Sequence, residues 1–428
     1  MFLLLKKGNF RKFILRNAMI TENHRFFICV LAFTSFLFVF YTTYNWTVDR
    51  EPFVKPVQVF EALRKPTCPI CQAVESPSVM PKINNPPSII QNCPNESKSL
   101  IQTAFERKYI GCNFWATGGI GNQIWRFASI YGIGRYTGRE PFFEAKNSDQ
   151  MNNLLEIGLV FPMMSEVLQI KSPPEVFLKK LHFADDCCKY DDPKKLIGVP
   201  DKYVKVAGDY MQSYKFFHEF RDEIRTIFEC GLTVKMSIDT FAKDLFKNDT
   251  SHKLCAHVRR GDFIGDLMLE SKEDFTIPAI NYAFNYLKGK TNDSDISMVF
   301  IGNDHGFIKN LPLQKVGFKN IYTPDSRPRG EDMCFGINYC DSMVMTASGS
   351  TFGWWISYLM KPGSPIFYNS QITDYADFTK DVHDFDIFPP DWIMLTAENG
   401  TARKEDRWWH QRRNQPPDLP GKDLTEWV

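Results

Sequence analysis

Three short stretches of the chain carry residue types that could hold and activate an anionic substrate. The first is His257-Val258-Arg259-Arg260-Gly261-Asp262, which follows an apolar run. In open α/β sheets ligands sit just beyond the carboxyl ends of strands, and the planar fork of Arg binds two phosphate oxygens at once. Side chains alternate across a strand, so one of Arg259 and Arg260 is expected to face a cleft. Asp262 could hold a guanidinium in place, and Asp262, His257, Asp304 or His305 could take a proton as general base. A surface ion pair, worth about 0–1 kcal/mol, and a satisfied buried histidine are the plainer readings. The second stretch is Ser348-Gly349-Ser350-Thr351-Phe352-Gly353-Trp354-Trp355. Ser350 and Thr351 suit a helix start, where hydroxyls and unpaired amides meet a phosphate. Phe352 is placed to stack on a base or to join the core, and Trp354 and Trp355 fit core packing. The third is Gly118-Gly119-Ile120-Gly121-Asn122-Gln123. Glycines there let the backbone approach an anion, and the following helix offers the positive end of its dipole. Asn122 could cap that helix or donate to a ligand. A plain tight turn would look the same, and neither a P-loop nor a full dinucleotide fingerprint is present.

These stretches need strands before them and helices after them, and the surrounding pattern supplies both. Strands are expected at residues 109–115, 141–143, 204–211, 254–258, 296–302, 321–322, 343–346 and 365–368. Helices are expected at 122–136, 279–287 and 351–360, with helical periodicity through Phe216, Phe217, Phe220, Ile224 and Phe228. Residues 150–200 read as irregular. The alternation predicts an α/β fold with two doubly wound, Rossmann-type domains facing across a cleft, split at 108–250 and 251–428.

The rest of the chain sets the context. The formal net charge of +1 argues against nucleic acid as the main partner, because phosphate backbones call for a basic surface. Residues 26–44 form a 19-residue uncharged stretch, long enough to cross a hydrocarbon core of roughly 30 Å. Lys6, Lys7, Arg11, Lys12, Arg16 and Arg25 precede it, which keeps a tail of residues 1–25 cytosolic and the remainder luminal. A cleaved signal peptide is the rival reading. Nine of the 26 prolines lie between Pro52 and Pro94, so residues 45–107 read as an extended stem. Cys68 and Cys71 in that stem suit a disulfide, which could join two chains as a homodimer. Eleven cysteines and sequons at Asn45, Asn95, Asn248, Asn292 and Asn399 agree with an oxidising compartment, with Asn45 too close to the membrane to be modified.

The motifs GGIGNQ, HVRRGD and SGSTFGWW, with the segment from Gly208 to Phe217, together resemble the α-1,2-fucosyltransferase family over roughly residues 110–370. Asp209 and Gly349 depart from its usual pattern. The resemblance implies a GT-B-like fold in a single-pass type II Golgi membrane enzyme. It implies inverting transfer of L-fucose from GDP-β-L-fucose to a galactoside hydroxyl on a glycan. By the same resemblance Arg259, Arg260, Ser350 and Thr351 contact the diphosphate, Gly119, Gly121 and Asn122 line it from the other domain, and Asn303 and Asp304 hold the guanosine; His257 and Phe352 are further donor-binding candidates. Arg260 and Asp262 take the catalytic roles. No metal cofactor is expected; Asp293-Ser294-Asp295 fits a metal-binding pattern formally but overlaps a sequon, and Asp384-Phe385-Asp386 is the weaker candidate. Other linkages (α-1,6 or protein-O) and a non-catalytic glycan-binding relative are the alternatives.

Overall fold

A computed structural model describes residues 107–112, 119–144, 148–208, 210–265, 267–290, 295–373, 382–417, 419 and 424–426. All belong to one compact unit, Ile90–Val428. The apolar run 26–44, the stem up to residue 106, Cys68, Cys71 and the sequons at Asn45, Asn95 and Asn292 lie outside the described residues. Among the described residues no helix is long and apolar enough to cross a membrane.

Two sheets organise the unit. The first contains β1 (Tyr109–Cys112), β2 (Glu140–Phe143), β3 (Gln169–Ile170), β4 (Leu178–Leu181) and β5 (Tyr203–Val206), in the order β3-β2-β1-β5-β4. All its pairs are parallel. The second contains β6 (His252–Val258), β7 (Ile296–Gly302), β8 (Ile321–Tyr322), β9 (Ser342–Met345), β10 (Ile366–Asn369), β11 (Ile393–Glu398) and β12 (Thr401–Lys404), in the order β12-β11-β10-β9-β6-β7-β8. It is parallel except for the β11–β12 hairpin. Strand β7 is a near-continuous apolar run, and β6 is buried from Lys253 to Val258, as parallel strands covered by helices must be.

The order reverses at one strand in each sheet: β1 sits between β2 and β5, and β6 between β7 and β9. A crevice opens beyond the strand ends at such a reversal, because the chain leaves toward opposite sides. The longer helices are α1 (Ile120–Thr137), α2 (Ser148–Val160), α3 (Leu232–Phe246), α4 (Glu273–Lys290), α5 (Arg329–Tyr339) and α6 (Thr351–Leu359). Helices α1 and α6, which begin at the two crevices, pack on each other through aromatic rings. Trp125 lies 4.1 Å from Trp354 and 5.3 Å from Trp355 between centroids, and Phe217 stacks on Trp355 at 5.6 Å. Burying such rings contributes roughly 1.5–3 kcal/mol each, so the two helix starts rest on a rigid floor. Disulfides join Cys230 to Cys334, Cys255 to Cys340, and the neighbours Cys187 and Cys188.

The sequence reading and the structure part company in identifiable places. Residues 150–200 hold α2, a short helix Pro162–Val167, β3 and β4; these strands have two and four residues, too few to show a period. The strand expected over 204–211 ends at Val206, before Met211 at φ 52°. Helix α4 starts well before Pro278 and contains it. The β11–β12 hairpin turns on Asn399 and Gly400, both at positive φ (51° and 73°), a pair that suits the tight turn of right-twisted strands.

Candidate active site

The exits of β1, β5, β6, β7 and β9 open on a single cavity of about 560 Å³, within the usual size for a small-molecule site. The β6 exit contributes His257, Arg259 and Asp262 to its lining. Arg259 Nη2 donates to Asp262 Oδ2 at 2.8 Å, and its guanidinium lies 5.3 Å from the Phe263 ring centre. Its Nε is buried with no hydrogen-bond partner. Strand alternation turns Arg260 the other way. Arg260 Nη1 donates to the Ser271 carbonyl at 2.7 Å and pairs with Glu270 at 2.8 Å; its Nε donates to Asp304 Oδ2 at 3.1 Å. Its guanidinium covers Phe307 at 4.6 Å. Arg260 and Asp304 therefore stand outside the cavity lining, whereas Asn303 is part of it. Asn303 clamps the backbone of Arg260, accepting its N–H at 3.0 Å and donating to its carbonyl at 3.3 Å.

His257 is fully enclosed, and burial, reinforced by the Arg259 charge, pushes its pKa down to about 3. It is a neutral imidazole whose Nδ1 has no hydrogen-bond partner. Gly353 makes this possible: a Cβ there would sit 2.6 Å from that nitrogen.

Ser350, Thr351 and Phe352 line the cavity from the start of α6, and Gly119, Gly121 and Asn122 from the start of α1. The two helix starts touch. A Cβ on Gly121 would lie 2.7 Å from the Thr351 carbonyl carbon, so only glycine lets the backbones meet. Each start exposes unpaired N–H groups and about half a positive charge. The cap of α1 is Gly119, not Asn122; Asn122 Oδ1 instead accepts from Gln212 Nε2 at 3.0 Å.

Several lining residues were not assigned to the site in the sequence reading. Ser326, Arg327 and Arg329 come from the approach to α5 and its first residue, and Asp332 from its first turn. Burial raises the Asp332 pKa to about 6, against the opposing pull of the Arg327 N–H at 3.3 Å. Cys188, Tyr210, Gln212 and Trp125 complete the opposite wall. The Ser-Arg-Pro-Arg run before a helix and the adjacent cysteines were visible signals; the cavity that unites them was not. Ser271 and Thr346 brace the β6 exit from behind. Ser271 Oγ accepts from Arg259 N at 2.9 Å and lies 2.6 Å from Thr346 Oγ1, which donates to the His257 carbonyl at 2.7 Å.

The metal candidates fare differently from the anion site. Asp386 accepts from Lys215 Nζ at 2.6 Å and Tyr190 N at 2.9 Å and contacts His383 Nδ1 at 3.1 Å, while Asp384 accepts from Trp409 N at 3.0 Å. Asp386, with Ser213 Oγ donating to its carbonyl at 2.8 Å, lashes residues 213–216 to 383–387, and Asp384 ties the same segment to Trp409. Residues 293 and 294 lie outside the described set. Among the described residues no group of three or more metal-ligating side chains occurs. Asn248 and Asn399 are exposed.

The model of the family described as Glycosyl transferase family 11 matches residues 102–396. A Caenorhabditis elegans protein named galactoside 2-alpha-L-fucosyltransferase is 27% identical over 315 residues, covering 67% of this chain and 77% of the relative. The galactoside alpha-(1,2)-fucosyltransferase 2 of Oryctolagus cuniculus is 24% identical over 293 residues, covering 67% and 77%. An Arabidopsis thaliana FUT1 mutant, solved in complex with GDP, is 15% identical, with a TM-score of 0.37 and coverage of 72% of this chain and 75% of that one.

Proposed function

This chain belongs to glycosyl transferase family 11, the family its motifs resembled, and from that premise we propose that it transfers L-fucose from GDP-β-L-fucose to a galactoside hydroxyl in α-1,2 linkage, with inversion. The observation that carries the reading is the meeting of one outward guanidinium, Arg259, with the starts of α1 and α6 at one cavity. In the reaction the acceptor oxygen attacks the fucose C1 from the face opposite GDP. The new C–O bond forms as the C1–O bond to phosphate breaks, and negative charge grows on the departing diphosphate. Arg259 and the two sets of helix N–H groups stabilise that charge without reorganising, the largest catalytic effect available to such a site. Asp262, at the rim beside Arg259, is the carboxylate assigned to take the acceptor proton. Arg260 receives a positioning role, since its hydrogen bonds fix the loop that carries Arg259 and Asn303. The guanine base is assigned to the Asp332 side, where a carboxylate can accept its adjacent imino and amino N–H groups.

The positive groups present meet the diphosphate charge, and the proposal is transfer without a metal. The three disulfides favour an oxidising compartment, which supports a type II Golgi membrane protein with a luminal catalytic unit anchored by residues 26–44. The test incubates the full-length chain with GDP-fucose and a panel of galactosides, with and without EDTA. Fucosylated product in both arms is expected. Absence of product from every acceptor would overturn fucosyl transfer, and loss of product with EDTA alone would overturn the metal-free mechanism.

A further inference from the structure

Apart from Asn122, at the helix start that meets the diphosphate, the wall opposite Arg259 carries side chains that the donor reading does not use. Its described lining residues include Asn122, Trp125, Cys188, Tyr210 and Gln212, none of them charged. Gln212 Nε2 donates to Asn122 Oδ1 at 3.0 Å, and Cys188 Sγ lies 3.6 Å from Gln212 Oε1. The three side chains thus form one row, from the disulfide through two amides to the first turn of α1.

We propose that the Cys187–Cys188 disulfide, Gln212 and Asn122 form the acceptor subsite, which receives an uncharged pyranose and orients it by its hydroxyls. The proposal deepens the transfer reading above and rests on it for the reaction. A sugar hydroxyl both donates and accepts, and a primary amide does the same, so paired amides recognise a neutral glycan without a charge. The half-buried ring of Tyr210 suits the apolar C–H face of a pyranose.

The disulfide is a positioning element that acts through Gln212. Cys188 is buried, with φ at 70°, a conformation uncommon for a residue with a side chain. The covalent ring with Cys187 removes the side-chain rotation that would carry its sulfur away from Gln212. The surrounding loop is tied at both sides, by Ala184 N donating to Asp191 at 3.4 Å and Tyr190 N donating to Asp386 at 2.9 Å. Gln212 is thus held from two sides, by Cys188 Sγ and by Asn122 Oδ1.

The test compares wild type, the Cys187→Ser/Cys188→Ser double variant and Gln212→Ala as full-length chains. The readouts are acceptor KM, donor KM, kcat at saturating acceptor and the rise in Tm caused by GDP. Acceptor KM is expected to rise about tenfold in Gln212→Ala, the size of one lost hydrogen bond, and to rise in the double variant as Gln212 loses its support. Donor KM and the GDP-induced Tm rise are expected to stay within about twofold. An unchanged acceptor KM in Gln212→Ala, or an equal rise in donor KM, overturns the proposal. Should the double variant fail to fold, as judged by a lost GDP response, Gln212→Ala decides the matter alone. Should wild type respond to GDP yet transfer fucose to no galactoside, the transfer reading has failed. Galactoside binding to the GDP-loaded chain by calorimetry then tests the wall: binding lost in Gln212→Ala supports it, and binding absent or unchanged overturns it.

Discussion

The two strand-order reversals face the same cavity with opposite chemistries. At the β6–β9 reversal the lining carries Arg259, Arg327, Arg329, Asp262 and Asp332; at the β1–β5 reversal the described lining carries amides, rings and sulfur and no charge. The same topological device thus serves two tasks. In the reading proposed above, charge is concentrated where the diphosphate is held and released, and neutral hydrogen-bonding groups lie where the sugar is oriented. The helix starts are the shared element: α1 grows from the uncharged side and α6 from the charged side, and they meet at Gly121 and Thr351.

The largest expected effect tests the charged side. Arg259→Ala should lower kcat by about 10²–10³-fold and abolish the GDP-induced rise in Tm, with circular dichroism unchanged. Arg260→Ala, outside the lining, should lower kcat only about tenfold through a loosened loop. Equal losses in the two variants would break the division of roles between the adjacent arginines.

A middle-sized effect tests the junction. Gly121→Ala forces a methyl against the Thr351 backbone and should cost about 1–3 kcal/mol of stability, read as a lower urea midpoint, with GDP affinity falling as the helix starts separate. An unchanged midpoint would show that the two helices do not depend on this contact.

The smallest effect concerns Asp332. Its folded-state pKa of about 6 lies above the ordinary 3.8. Its contribution to stability is therefore complete below about pH 3.8 and is lost as pH rises through about 6. Asp332→Asn should raise Tm at pH 8 by one or two degrees, on the order expected for a surface-connected carboxyl, and leave it unchanged at pH 4. GDP affinity in the wild type should weaken as pH falls below about 6, and the variant should lose that dependence. A pH-independent GDP affinity in the wild type would remove Asp332 from the base subsite.

The sequence by itself determined the strand–turn–helix units that carry His257, Arg259, Ser350 and Gly121, because apolar runs and the glycines and serines that end them act within a few residues. Strand β7 was legible to the residue for that reason: a continuous apolar run buried on both faces has no other good conformation. Short-period information could not reach β3 or β4, nor the hairpin at Asn399, which was read only as a sequon. It could say that Arg259 and Arg260 diverge, but not which one faces the cavity. That choice was decided by Asp304, Glu270 and Ser271, which claim Arg260 from other segments of the chain. Likewise Asp332, Gln212 and Cys188 became site residues only when the strand exits were gathered around one cavity. Alternation and capping are local and leave marks in adjacent residues; the convergence of distant loops depends on how the sheets and helices pack, and no spacing in the chain records it.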